Sequence, residues 1–212
     1  MLFRSILSLI ILYVLSLIYL SMADRFRSHT MILALQGLLL FGIAMARMHA
    51  FHPVEMGFIV VETLVFKAII IPIILLHVIR KTKINRITSS STQFGSLMMS
   101  IVALVASCTI TYYMQNSGSD TISFGVALYA LLSGLILIVM RKRVFAHLVG
   151  FLVIENGVFL FSMAIGVELP MLINLAIMLD ILISILVLGM FLQRMDNDMN
   201  TDESDALTSI KD

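Results

Sequence analysis

VFAHLVGFLVIENGVFLFSMAIGV, residues Val144–Val167, is an unbroken apolar run with a single acid, Glu155, near its middle. Its 24 residues reach about 36 Å as an α-helix, enough to cross a hydrocarbon core of about 30 Å. The basic triplet Arg141-Lys142-Arg143 precedes it and marks where it leaves water. Six further runs repeat the pattern: Ile6–Met22, Thr30–Ala46, Met56–Ile79, Phe94–Met114, Thr121–Met140 and Met171–Leu192. Only 13% of residues are charged against 60% hydrophobic, and the apolar residues fall in long blocks. This composition predicts an all-α membrane protein with seven transmembrane helices.

Lysine and arginine set the expected direction. Seven spans place Arg25, Arg27, Arg80, Lys81, Lys83, Arg86, Arg141, Lys142, Arg143, Arg194 and Lys211 on one side, and only Arg4 and Arg47 on the other. By the positive-inside rule the N-terminus faces out and the C-terminus in. Arg4, the run Ile6–Leu20 and Ser21-Met22-Ala23 imitate a cleavable signal peptide. Cleavage would reverse the charge bias, so the segment is read as a retained helix. The expected organisation is a three-helix half (1–87), a Ser/Thr-rich hinge (88–93), a four-helix half (94–194) and a flexible acidic cytoplasmic tail (195–212). The tail's Ala206–Lys211 end is a possible docking segment, with a solvated tail as the plainer reading.

Net charge of +1 gives no reason to expect nucleic acid. A lone cysteine, Cys108, excludes an internal disulfide framework and a Cys-ligated cluster. His49 and His52 are spaced as two ligands on one helical face, but no third ligand is near in sequence, so no metal is expected. There is no Walker loop, nucleotide-binding glycine pattern, CxxC or HExxH. The chain reads as a subunit rather than a free-standing catalyst, and no cofactor is expected on it.

The informative residues are ionisable groups at membrane depth. Glu155 lies twelve residues from Arg143 and Asp180 ten from Pro170, so about 18 and 15 Å from their interfaces. Lys67 is thirteen residues from Arg80, about 20 Å deep. Charges there cost about 2.5–3.5 kcal/mol or more and mark proton or ion paths by default. The bland alternatives are a snorkelling Glu62, a helix-locking ion pair at Lys67, and neutral, hydrogen-bonding Glu155 and Asp180. Glu62 and Lys67, five apart, are separated by about 140° around an α-helix. They are therefore expected to be poor partners, and Lys67 is expected to seek Glu155 or Asp180 on another helix. Asn156, Asn174 and His147 are supporting polar residues. Pro72 removes one helical hydrogen bond and frees the carbonyl of Ala68 beside Lys67.

Two motifs carry a family resemblance. Leu148–Gly157, with Gly150 and Glu155-Asn156-Gly157, resembles the G-x-x-x-x-E-N-G helix of hydrogenase-4 component E, and Phe66–Pro72 resembles that family's K-x-L-L-x-P helix. Glu168-Leu169, the helix bearing Asp180 and the Ala206–Lys211 end extend the likeness over nearly the whole chain. The last three spans also resemble the K-type subunit of respiratory complex I, with Glu155 and Asp180 about one helical turn from that subunit's acids. The resemblance implies a membrane-arm subunit of a group 4 membrane-bound nickel–iron hydrogenase or formate hydrogenlyase complex in a bacterial or archaeal inner membrane. The nickel–iron site and iron–sulfur clusters would sit on partner subunits of a peripheral arm. Glu155, Asp180 and Lys67 would then belong to a proton or sodium path coupled to electron transfer. The alternatives are a subunit of a multisubunit cation/proton antiporter, or a structural scaffold of the membrane arm.

Overall fold

The computed structural model describes residues 2–47, 56–57, 59–82, 93–114, 120–141, 144–165 and 189. Among them are six helices long and apolar enough to cross a membrane. They are α1 (Leu2–Met22), α2 (Phe26–Arg47), α3, α4 (Gln93–Tyr113), α5 (Thr121–Met140) and α6 (Val144–Ile165). The third, α3, joins a π-helical segment, Val60–Ile70, to an α-helical one, Ile71–Thr82. This is the build of a multi-pass membrane protein. The run Met171–Leu192 with Asp180 and Asn174, His49 and His52, and the acidic tail lie outside the described residues, save Gly189.

Two boundaries differ from the sequence-based expectation. The charged stretch Asp24–His29 is not a loop: only Ala23, Asp24 and Arg25 separate α1 from α2, and His29 is a fully buried helical residue. Charge marks where a span meets the interface, and a helix runs on past that level without breaking. Likewise Met56–Ile79 is not one α-helix. Its π-helical part closes i→i+5 hydrogen bonds, as in the bond from the Ile71 N–H to the Phe66 carbonyl. Pro72, buried just after that bond, stands where the chain returns to α geometry.

The tightest packing is between α5 and α6. Ala130 and Gly134 sit four apart on α5, Ala130 against Gly157 and Gly134 against Gly150 and Ile154 of α6. Small residues let backbones approach, which is how membrane helices gain van der Waals contact when lipid offers no hydrophobic drive. A Cβ on Gly134 would meet the Gly150 carbonyl oxygen at 2.7 Å and the Ile154 nitrogen at 3.0 Å. Gly134→Val is therefore expected to destabilise the protein by about 1–3 kcal/mol. A fall in the melting temperature of the detergent-purified protein would register it.

Helix α2 is central, touching α1, α3 and α6, while α1 also packs on α4 and α5. The ends are fastened by arginines. At one end the buried Arg141 pairs with Asp24 at 3.2 Å and bonds the carbonyls of Ser21 and Ala23. Phe26 stacks edge-on against Phe145 beside it. At the other end Arg47 pairs with Asp120, the residue that caps α5, and bonds Ser123 and the Met163 carbonyl. The 23–25 turn and Arg141 thus share one end of the bundle, as up-and-down spans require.

A buried carboxylate–lysine–carboxylate triad

Three of the sequence-predicted residues meet between α3 and α6. Lys67 Nζ lies 3.0 Å from Glu155 Oε1 and 3.6 Å from Glu62 Oε1. It also sits 4.6 Å above the ring of Phe159, one helical turn beyond Glu155. Glu62 and Lys67 are 3% and 4% exposed, and the Glu155 side chain 10%. Two carboxylates and an aromatic face surround the ammonium, while neither Lys67 Nζ nor Glu62 Oε2 makes a hydrogen bond among the described residues.

The contact between Glu62 and Lys67 corrects the expectation that they are poor partners, and excludes a snorkelling Glu62. The reason is local. The 140° separation assumes α-helical winding, whereas Val60–Ile70 is π-helical, and i→i+5 closure brings residues five apart onto the same face. Thr63, the neighbour of Glu62, turns its hydroxyl back to the Ile59 carbonyl at 2.6 Å, which satisfies it without entering the cluster.

Proximity of α3 to α2 depends on Gly37. A Cβ there would meet the nitrogen of Ala68 and the carbonyl carbon of Lys67, each at 2.9 Å. The backbone that carries the lysine therefore rests directly on α2. Next to Gly37, Gln36 is completely buried and ties three helices together. Its amide donates to the Ser16 hydroxyl of α1 at 3.1 Å and its carbonyl oxygen accepts from Asn156 of α6 at 3.4 Å. Ser16 in turn donates to the Tyr13 carbonyl. Asn156 is thereby fixed, and with it the segment of α6 that presents Glu155.

Of the other predicted supporting residues, Pro72 is buried five residues beyond Lys67, at the π-to-α junction. His147 is not brought to the cluster. Its Nε2 lies 2.7 Å from the Arg141 carbonyl oxygen, eight residues and about 12 Å along α6 from Glu155. Asp180 lies outside the described residues. Sequence reasoning missed Gln36, Ser16 and Tyr13, whose fully buried phenol makes no hydrogen bond among the described residues. Gln36 had a signal, as the one amide in the apolar run Thr30–Ala46; Ser16 and Tyr13 are common in membrane helices and had none.

Among the described residues no group of three His, Cys, Asp or Glu side chains is arranged to hold a metal ion. No protein-family model matches the chain, and no curated protein or solved structure aligns significantly with it.

Proposed function

We propose that this chain is a non-catalytic membrane-arm subunit of an ion-translocating oxidoreductase complex, and that the Glu62–Lys67–Glu155 triad is a proton-transfer element within it. The observation that carries this reading is the triad itself: one ammonium placed between two carboxylates inside apolar spans. With all three groups ionised the cluster holds a net charge of −1, which a low-dielectric interior disfavours. One added proton cancels that charge, and on this reading it can reside on either carboxylate.

The transfer balances simply. Lys67 gives a proton to Glu155, leaving a neutral amine and a carboxylic acid. A protonated Glu62 then returns a proton to Lys67. The net result moves one proton from Glu62 to Glu155, off α3 and onto α6, and restores the ammonium. Lys67 reaches both partners from one position, 0.6 Å nearer to Glu155, as the two distances of 3.0 and 3.6 Å give.

The likeness to hydrogenase-4 component E supports the finer reading: seven spans with the N-terminus outside, a bacterial or archaeal inner membrane, and partner subunits that carry the nickel–iron and iron–sulfur chemistry. Asp180 would extend the path on the seventh span. A scaffold role for the same charges is separated by one substitution. Glu155→Gln keeps size and hydrogen bonding but cannot take a proton. In proteoliposomes holding the purified complex, it is expected to cut substrate-driven proton uptake at least tenfold with assembly unchanged. Normal uptake in a fully assembled Glu155→Gln complex would leave the triad as a helix lock.

A further inference from the structure

We infer that the groove between α1 and α2 is a binding site for one anionic phospholipid, its headgroup on Arg25 and Arg27. The inference stands apart from the ion path and needs only that these helices lie in a bilayer. The groove is an open furrow of about 600 Å³ along the outer surface of the two helices. Its walls are apolar and outward-facing, with Leu12 and Leu15 on α1 and Met31 and Leu35 on α2 each about half exposed. Its end at the 23–25 turn is polar: Arg25, Arg27, Ser28 and the half-exposed Tyr19 line it.

Dimensions and charge select the occupant. Along α2 the groove runs from Ser28 to Leu39, about 17 Å, close to the depth of one leaflet of a 30 Å core. A groove of that length, apolar along its walls and cationic at one end, suits an acyl chain whose headgroup is anionic. Both arginines are exposed, and among the described residues no carboxylate pairs with either. Asp24, the acid between the helices, is taken by Arg141. Two cations at headgroup level above an apolar slot one leaflet deep complement a phosphate joined to an acyl chain. Ser16, which accepts from Gln36, forms part of the floor, so a seated tail would close that polar contact off from the bilayer.

The test uses the full chain purified in mild detergent, mixed with phosphatidylglycerol and phosphatidylcholine, with bound lipid counted by native mass spectrometry. The wild type is expected to retain one phosphatidylglycerol in preference to phosphatidylcholine. Each Arg→Gln change at 25 or 27 is expected to weaken retention about fivefold, and the pair about thirtyfold. Leu35→Trp, which fills the slot from an exposed position, is expected to abolish retention with both arginines present. Equal retention of the two lipids, or retention unchanged in the double variant, would overturn the site. A photo-crosslinker at position 35 in the otherwise wild-type chain reads the same question without disturbing the arginines. Labelling of lipid supports the proposal; labelling of a peptide, from this chain or another, refutes it.

Discussion

Lys67→Met is expected to abolish proton translocation while the complex still forms, because in the proposed transfer it removes the group that passes a proton between the two carboxylates. Methionine nearly matches the length and flexibility of lysine but has no proton to give. Without the ammonium, Glu62 and Glu155 face each other across an apolar gap, and neither can ionise without a buried, uncompensated charge. Removing one partner of a buried ion pair costs about 3–5 kcal/mol when the charge left behind persists. Here the carboxylates can escape most of that by protonating, so the loss of stability should be smaller than the loss of transport. The measurement is paired: thermal unfolding of the purified subunit, and proton uptake by proteoliposomes holding the complex. A large fall in uptake with a modest fall in melting temperature is the expected result. Lys67→Arg makes a useful companion. It keeps the positive charge and the ion pairs but holds its proton too tightly to release it. If Arg restores stability and leaves transport absent, proton exchange at position 67 is what matters, not charge alone. Transport retained in Lys67→Arg would show that the triad acts only by holding helices together.

The helices were legible in the sequence because their cause is bulk chemistry. Long apolar runs have one stable arrangement in a bilayer, and each expected span that falls within the described residues is helical there, with ends that move by a few residues. The shifted ends come from reading charge as a break in the backbone, as at Arg27 and His29. The ionisable residues were legible for a related reason: a lysine or glutamate in such a run is conspicuous. Their geometry was not. The separation assigned to Glu62 and Lys67 rested on α-helical winding, and nothing in Val60–Ile70 announces a π-helix. Apolar β-branched residues fill that segment as they fill ordinary membrane helices. The polar scaffold of Gln36, Ser16 and Asn156 spans three helices that are far apart in sequence, so its convergence is a product of packing alone. His147 shows the converse error. It is near Glu155 in the chain, yet its hydrogen bond holds it at the Arg141 end of the bundle.

Packing, rather than any charge, carries the second large effect. Gly37→Val is expected to disable transport although Glu62, Lys67 and Glu155 are all intact. The new Cβ would stand 2.9 Å from both the Lys67 carbonyl carbon and the Ala68 nitrogen, and its methyl groups would reach further. Main-chain atoms in a hydrogen-bonded helix cannot turn aside as a side chain can, so α3 must move away from α2. Overpacking of this kind costs about 1–3 kcal/mol. Its functional consequence is larger, because Lys67 rides on the displaced backbone. Gln36 precedes Gly37 in the chain, so the same shift strains the amide contact that fixes Asn156 beside Glu155. Gly42 on the same helix is the control. A Cβ there meets only the terminal methyls of Leu9, at 3.2 and 3.7 Å, and a leucine can re-orient. Gly42→Ala should therefore be close to neutral in both unfolding and transport, whereas Gly37→Ala should already impair transport and Gly37→Val abolish it. Proton-uptake rates measured across these three variants, alongside their melting temperatures, test whether the triad works by closeness. If Gly37→Val transported normally in a folded complex, the 3.0 Å approach of Lys67 to Glu155 would have no part in moving protons.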